Sequence, residues 1–468
     1  MVYKVHTFSR VDLDLRINAI SLTLSKGFGV KSAGIPYALV KDNFERIKLL
    51  LNQRKYSLKG MRYTFQSVIP ASKNIHGYIE MPMAALAVAS TTKDTKAHLS
   101  HSCFIGAFDL QGMAIPLEYP EEYFVSAIDH RCEFLVLPHQ NIATAPKEIA
   151  HKLVAIQSID DLIQFVVFGK YKKREVSSSS VHHATDTILL YDQPQASRAI
   201  ELAIVGRHHL LLFGSPGIGK TMLIKQYAKA LPRLTEKQKH SLWPIQTKRR
   251  KALSEVLPIE FMKMNTTPLE LYGGGTRAFP GYISLAHHGL LVADEIDQFS
   301  KKVLEALKPA LEWEEVVLEK HQYSTVFPSK FTLIGCCNTE LEHANNGLFS
   351  DSFIDRIDLV VKVHKPDTHQ DMVPFNFNYT AQKLESALNY KRELEKEGAI
   401  TRPLECLDRL PLTSDAVGLI ERIKSNEKIS IRRINRWLCT AISLFYIDQS
   451  TVLDEEVLLE ALSFRTLN

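Results

Sequence analysis

The sequence predicts an α/β protein of several domains, and three observations carry this prediction. Four apolar residues, Leu210–Phe213, lead into a glycine-rich turn and then into an amphipathic helical pattern over 222–231. A second apolar strand pattern, Leu290–Ala293, ends in two acids. Residues 369–468 show helical periodicity throughout. A chain of 468 residues is long enough for two or three such domains.

Changes of pattern along the chain predict its domain boundaries. Residues 1–170 alternate short apolar stretches with helical patterns, as expected of a mixed α/β domain. The charged, serine-rich stretch 171–187 is typical of an exposed linker, and contact of its basic residues with nucleic acid is the alternative. An α/β nucleotide-binding core with a parallel sheet follows over 188–368, and an all-helical domain over 369–468.

Composition and charge are those of an ordinary globular protein, with 45% hydrophobic and 23% charged residues. A net charge of +5 permits an anionic partner without requiring one. The six cysteines show no C-x-x-C spacing, which predicts reduced thiols and a cytoplasmic location. The first 15 residues lack the apolar segment of a signal peptide, and no apolar run is long enough to span a membrane.

Residues 214–221 match the phosphate-binding pattern G-x-x-x-x-G-K-[ST] between a strand and a helix. Glycines let backbone N–H groups surround a phosphate, and the following helix N-terminus adds partial positive charge. Lys220 can charge-pair with the β- and γ-phosphates, and the Thr221 hydroxyl can ligate Mg²⁺. We therefore expect ATP and Mg²⁺ here. The expected nucleotide-contacting residues are Gly214, Ser215, Pro216, Gly217, Ile218, Gly219, Lys220, Thr221 and Met222.

Two acids follow the apolar strand Leu290–Ala293. In P-loop ATPases the first acid of such a pair holds Mg²⁺, which assigns this role to Asp294. Glu295 is then placed to orient and polarise the attacking water. An apolar strand ending in two acids can also be a surface turn. Its position downstream of a phosphate loop, before a helical pattern over 301–311, favours the catalytic interpretation.

Asn338 directly follows the buried strand pattern 331–337. A polar residue there would lie beside the γ-phosphate, between the loop and the acids, and a strand-end cap is the alternative. Arg356, within 353–358, is a candidate arginine finger that acts across a subunit boundary. The alternative is that Arg356 pairs with Asp355 or Asp358.

The C-terminal helical region offers one further arginine to the site. Arg432 stands in a cluster of arginines at the start of a helical pattern, and a helical lid can lend such a residue to the nucleotide.

Two further segments could contact nucleic acid. Residues 316–319 and 325–327 flank a polar tip with Lys320 and His321, which predicts a β-hairpin. The segment 237–251 is expected to be irregular and ends in a basic run over 248–251. This run is either a solvated loop or a loop that faces DNA.

These residues together resemble the ComM/YifB family, which belongs with the magnesium-chelatase I-subunit-like AAA+ ATPases. The resemblance covers nearly the whole chain. Residues 353–359 are similar to the arginine-finger segment of the family, Ser430 to Arg432 to its second sensor, and 460–465 to its C-terminal end. In the ATPase core the resemblance also rests on residues 273–275 and 280–289. The N-terminal region looks like the family's Lon C-terminal-like domain, and the matching residues there are 34–36, 40–47 and 80–86.

The resemblance implies a homo-oligomeric, hexameric ring ATPase that acts as a DNA helicase. In ComM, the motor drives branch migration during natural transformation. The hairpin would then face a central pore, with Lys320 and His321 as its phosphate-contacting tip. Such a motor grips the backbone of single-stranded or branched DNA, so binding should be salt-dependent and independent of base sequence.

The chain also departs from the family pattern. Many members carry a cysteine-rich insertion after the sensor Asn, whereas 338–352 is short and lacks cysteine, so no zinc is expected. Glu80, Met81 and Pro82 stand where a Lon-like domain would be expected to carry its nucleophile, and no Ser-Lys pair is evident, so we expect no proteolysis. Asp192 replaces a glycine that is usual before the first ATPase helix, and Tyr282 replaces an acid that is usual after Pro-Gly. Both changes indicate a divergent member. The alternative function is a chelatase-type motor that remodels a protein partner, which the N-terminal domain disfavours.

Overall fold

The structure is a computed structural model in which the chain forms two compact units. The first unit comprises Met1–Ser180 with Arg250–Leu253, and the second comprises Val181–Arg249 with Ser254–Asn468. Most of the predicted linker lies outside the described residues. The structure describes residues 2–11, 14–68, 78–92, 99–128, 130, 132–171, 189–191, 193–275, 278–320, 323–338, 349–364, 372–397, 403–405, 407–426 and 429–464.

The first unit is a mixed sheet covered by helices. Its strands are β1 (Val2–Val11), β2 (Asp14–Ser25), β3 (Gly29–Ala33), β4 (Arg62–Ser67), β5 (Ser102–Phe104), β6 (Ala107–Phe108), β7 (Ala114–Ile115), β8 (Phe134–Pro138) and β9 (Leu153–Ile156). Its helices are α1 (Tyr37–Gln53), α2 (Glu80–Thr91), α3 (Glu121–Ile128) and α4 (Ile159–Phe168). The sheet order is β3-β4-β2-β1-β5-β8-β9, and β6 pairs with β7. Strands β1 and β2 are antiparallel, whereas β5, β8 and β9 run parallel.

Helix α2 lies at the centre of the first unit because it is apolar on every side. All of its residues from Glu80 to Ser90 are buried, as expected of a helix without a polar face. Its one acid, Glu80, accepts a hydrogen bond from Phe108 N at 3.2 Å and lies 3.4 Å from Arg46. Burial raises the pKa of Glu80. Glu80 is therefore a buried acid held by a backbone N–H and an arginine.

The second unit begins with β10 (Leu189–Tyr191) and contains the phosphate-loop motif. Its other strands are β11 (Leu210–Phe213), β12 (Ile259–Phe261), β13 (Gly273–Gly274), β14 (Phe279–Pro280), β15 (Leu290–Ala293), β16 (Glu315–Lys320), β17 (Tyr323–Pro328), β18 (Thr332–Cys337), β19 (Leu359–Lys362) and β20 (Met372–Pro374). Its helices are α5 (Pro194–Gly206), α6 (Lys220–Lys229), α7 (Glu236–Lys248), α8 (Pro268–Tyr272), α9 (Tyr282–Leu285), α10 (Lys301–Ala310), α11 (Asp351–Ile354), α12 (Phe377–Leu394), α13 (Ser414–Lys424), α14 (Ile431–Asp448) and α15 (Glu455–Ser463).

A parallel sheet in the order β12-β15-β18-β11-β19 forms the core of the second unit. Successive side chains of β11 point to opposite faces, so Leu210 and Leu212 join the cluster with α5 and α14, while Leu211 joins the cluster with α10. All strands point the same way. Their carboxyl ends therefore meet at one edge of the sheet, and their amino ends meet at the opposite edge.

The C-terminal helices pack against the sheet domain through α14 and α5. Helix α14 buries Trp437, whose indole N–H donates to Leu458 O at 2.8 Å. Arg198 on α5 donates to Asp448 at 2.5 Å and to Glu460 at 2.9 Å, which ties α5 to α14 and α15. The predicted α/β fold class, with its parallel sheet and C-terminal helices, is confirmed.

One element was predicted wrongly. The segment expected to be irregular over 237–251 forms helix α7 up to Lys248. Thr235 and Gln238 make a reciprocal capping box at its start, and Leu242, Trp243 and Ile245 are buried. Most residues of this segment are polar or charged, so its short apolar face is not evident from the sequence pattern. Burial of that face and the cap together explain why a helix forms.

Among the described residues, no helix is both long and apolar enough to cross a membrane.

Candidate functional site

The phosphate loop connects the carboxyl end of β11 to the start of α6. Gly214, Gly217 and Gly219 have φ angles of 153°, 80° and 92°, which side chains disfavour. A Cβ atom on Gly214 would lie 2.4 Å from the carbonyl oxygen of Val363. Gly214 N also donates to Cys337 O at 3.2 Å, which ties the loop to the neighbouring strand. The glycine spacing is therefore required by the backbone itself.

Lys220 is buried against the loop that precedes it. Its Nζ donates to Gly214 O at 2.7 Å, Ser215 O at 3.0 Å and Asn338 Oδ1 at 3.0 Å. Burial lowers the pKa of Lys220. A desolvated ammonium group held on the inner side of the loop suits an anionic ligand.

Thr221 and Asp294 meet at the same edge of the sheet. The Thr221 hydroxyl donates to Asp294 Oδ1 at 2.7 Å. A hydroxyl and a carboxylate are oxygen donors of the type that Mg²⁺ takes when most of its other ligands are water and phosphate. These two residues, which lie 73 positions apart in the sequence, therefore fit the metal that the phosphate loop implies.

Glu295 and Asn338 complete this cluster. Asn338 Nδ2 donates to Glu295 Oε1 at 3.3 Å, so the amide bridges Glu295 and Lys220. Glu295 has a φ of 51°, a left-handed conformation that is costly for a residue with a side chain. Because β15, β18 and β11 are adjacent and parallel, their carboxyl ends bring Glu295, Asn338 and Lys220 together.

Arg356 and Arg432 lie close to each other and do not contact the cluster of Lys220, Glu295 and Asn338. Both contact Glu312, which follows α10: Arg356 Nη2 donates to Oε2 at 3.2 Å and Arg432 Nη2 to Oε1 at 2.5 Å. Arg432 is the main cause of the lowered pKa of Glu312, and Arg356 adds to it. The carboxylate is therefore ionised and holds both guanidinium groups.

This arginine pair belongs to the edge of the sheet at which the strands begin. Arg356 is three residues before β19, and Asp358 N donates to His209 O just ahead of β11. Gly214 lies at the far end of β11, whose four residues span about 13 Å. The Glu312–arginine cluster and the phosphate loop thus occupy opposite edges of one sheet.

The alternative pairing of Arg356 is wrong. Asp358 contacts Arg436 at 3.3 Å, and Asp355 lies 3.8 Å from Arg433. Arg356 pairs instead with Glu312, 44 residues earlier in the chain. Sequence reasoning missed Glu312 because three nearby acids follow Leu311 and the local pattern does not distinguish among them.

Of the two segments predicted to contact nucleic acid, the hairpin is present and the basic run is not a solvated loop. The hairpin is present, with β16 and β17 paired from Glu315–Pro328 to Lys320–Tyr323. The side chain of Lys320 and the whole of His321 lie outside the described residues. In the basic run, Lys248 lies over the Phe327 ring at 5.1 Å, and Arg249 Nε donates to Pro280 O at 2.7 Å. These contacts are those of structured residues, not of a solvated loop.

A glycine loop between a parallel strand and a helix, a buried lysine and a following Asp-Glu pair define a P-loop nucleotide site of the AAA+ type. The family model described as magnesium chelatase, subunit ChlI, matches residues 186–371, which contain the whole of this site.

Relatives extend the likeness to nearly the whole chain, which is similar to proteins of the ComM/YifB family. It is 24% identical over 494 residues to competence protein ComM of Haemophilus influenzae, covering 98% of this chain and 97% of that protein. It is 24% identical over 504 residues to YifB of Escherichia coli, covering 99% and 97%. An uncharacterized protein of Mycobacterium tuberculosis, Rv2897c, is 25% identical over 75% of each chain.

Proposed function

We propose that this chain is an ATP-hydrolysing DNA motor that works as a homo-oligomeric, hexameric ring. Its activity would be that of a ComM-like helicase promoting branch migration during natural transformation. The observation that carries the proposal is the position of Arg356 and Arg432, held on Glu312 at the sheet edge opposite the phosphate loop. Arginines so placed do not contact the loop of their own sheet, which supports a role for them at the loop of a neighbouring copy.

Each residue of the two clusters has a distinct task in this proposal. Lys220 binds the β- and γ-phosphates, and Glu295 accepts the proton of the attacking water. Asn338 orients Glu295 and Lys220 through its amide. Thr221 and Asp294 would hold magnesium, which would supply positive charge to the phosphates. In the neighbouring subunit's site, Arg356 and Arg432 stabilise the charge that develops in the transition state.

Three features support DNA as the polymer on which the motor acts. The net charge is +5, the relative from Haemophilus influenzae is named a competence protein, and the hairpin β16–β17 offers a basic tip in its sequence. We also propose the boundaries 1–170, 171–187, 188–368 and 369–468 for the N-terminal domain, linker, ATPase core and helical lid. The lid would move with nucleotide state around the ring.

The test measures ATP hydrolysis with and without single-stranded and forked DNA, branch migration on a four-way junction, and particle mass with ATP. We expect DNA-stimulated turnover by a hexamer. The Lys220→Ala variant is the control, and branch migration that survives it would refute the assignment. Arg356→Ala should also be inactive, yet mixing it with Lys220→Ala subunits should restore part of the activity, because each variant supplies the half-site that the other lacks.

A chelatase-type motor that remodels a protein partner is the second candidate, because the matching family model is that of a magnesium chelatase subunit. It predicts ATP hydrolysis that is indifferent to DNA and no retention of single- or double-stranded DNA in a mobility-shift assay. Stimulation of hydrolysis by forked DNA would exclude it.

A further inference from the structure

A cavity of about 610 Å³ lies inside the second unit, away from the phosphate loop. Its floor is the sheet edge at which the strands begin, including Arg207 and His209 ahead of β11. Its roof is formed by α12 and α14, which contribute Lys391 and Tyr446. This volume is within the range of pockets that take small organic ligands.

The carboxylates that line this cavity are already engaged. Glu314 pairs with Lys330 at 2.5 Å, and Asp358 pairs with Arg436 at 3.3 Å. Glu312 is shared by two arginines, as described above. Glu395 adds to burial in raising the pKa of the Tyr446 hydroxyl. Among the described residues, three lining cations form no ion pair: Arg207, Lys391 and the exposed Arg392, which donates to Asn389 Oδ1 at 2.8 Å.

Arg207 and Lys391 make only neutral contacts. Arg207 Nη2 lies 3.2 Å from His288 Nδ1, and Lys391 Nζ donates to Val205 O at 2.9 Å. Within the described part of the chain, neither cation forms an ion pair. Burial lowers the pKa of both, and the carboxylate charges oppose this shift: Glu314 and Glu395 at Arg207, and Glu395 at Lys391, where the charge of Arg207 adds to the lowering. Two partly desolvated cations thus line one cavity without a carboxylate in ion-pair contact.

We propose that this cavity binds a small phosphate-bearing anion, with Arg207 and Lys391 as the cations that recognise it. The planar guanidinium suits two phosphate oxygens at once, and the ammonium supplies a compact charge. Apolar and aromatic walls, including Trp313, Phe331 and Tyr446, leave room for an organic part. Such a ligand would lie beside Glu312, and so beside the arginines proposed to serve the neighbouring subunit.

Calorimetric titration on the full chain tests this proposal independently of ATP hydrolysis. The parent carries Lys220→Ala to weaken binding at the phosphate loop, and pyrophosphate and AMP are titrated at constant ionic strength. We expect binding of at least one of them, weakened about tenfold or more by Arg207→Gln or by Lys391→Gln. Binding of pyrophosphate points to an inorganic ligand, whereas binding of AMP alone points to a nucleotide.

Lys308→Gln is the matched control, since Lys308 lies on α10 outside the cavity lining and pairs with Glu305 at 2.6 Å. It should bind like the parent. Absence of binding by both probes, or equal binding by parent and cavity variants, would overturn the proposal.

A chemical-protection experiment on the same Lys220→Ala parent tests the proposal without a cavity variant, and so remains informative if such a variant fails to fold. Acetylation of Lys391, followed by mass spectrometry, should slow when a bound probe is present, while exposed Lys302 reacts as before. Unchanged acetylation of Lys391 at saturating probe would also overturn the proposal.

Discussion

Replacing Glu312 with glutamine should slow ATP hydrolysis by the ring while leaving ATP binding intact. The substitution keeps the size of the side chain but removes the charge that holds Arg356 and Arg432. The three side chains are 34%, 23% and 57% exposed, so each contact contributes about 0.5–1 kcal/mol rather than the larger value of a buried pair. Loss of both therefore costs about 1–2 kcal/mol.

If that free energy is lost from the transition state, kcat falls roughly tenfold. The KM for ATP should not change, because the phosphate loop lies at the other edge of the sheet. A steady-state assay at saturating forked DNA separates the two parameters, and particle mass with ATP checks that the ring still forms. Glu312→Asp keeps the charge and should restore part of kcat.

Glu305→Gln is the matched control for this experiment. Glu305 lies on α10 and pairs with Lys308, so its loss removes a surface ion pair of similar strength that involves neither arginine. It should leave kcat unchanged. A wild-type kcat for Glu312→Gln in an intact ring would refute the reasoning, as would a raised KM at unchanged kcat. Arg356→Ala should be the more severe change, since it removes the cation itself.

Three further outcomes are expected. Glu295→Gln should keep ATP binding and lose hydrolysis, measured by equilibrium binding and phosphate release; normal turnover would contradict its role as base. Gly214→Ala should destabilise the fold by about 1–3 kcal/mol and abolish ATP binding, because its φ is 153° and its Cβ would meet Val363 O. Burial lowers the pKa of His208 from 6.5 to about 4. Its stabilising contribution is thus present above pH 6.5 and is lost as the pH falls towards 4, by about 2 kcal/mol between pH 7 and pH 5. Urea unfolding followed by the three tryptophans, all in the second unit, should show this dependence, and His208→Gln but not exposed His364→Gln should reduce it.

Elements with a strong local pattern were predictable from the sequence. The glycine spacing of 214–221 is dictated by backbone angles, so it indicates the loop without knowledge of the rest of the fold. Asn338 lies 118 residues after Lys220, yet both follow apolar strands, and parallel strands end at a common edge. That topological rule was enough to predict that their side chains would meet.

What the sequence missed depends on packing between distant segments. Helix α7 was missed because only Leu242, Trp243 and Ile245 break its polar pattern, and their burial against the rest of the unit decides the structure. Glu312 is one of three acids in a short run, and only the fold selects it as the partner of Arg356 and Arg432. Ion pairs between residues far apart in sequence leave no periodic signal.

The two edges of the parallel sheet explain why one subunit could not complete the proposed site by a local movement. β11 connects the cavity edge to the phosphate loop, and its paired neighbours β18 and β19 are parallel to it along its whole length. A strand hydrogen-bonded on both sides keeps its length, so Arg356 stays about 13 Å or more from the loop as long as the sheet is intact. Opening of the lid could shift Arg432 but not Arg356, which precedes β19 in the sheet domain. In the proposed ring, the angle between neighbouring sheets therefore sets the distance from Arg356 to the phosphate, and hydrolysis would depend on ring geometry rather than on the fold of any single copy.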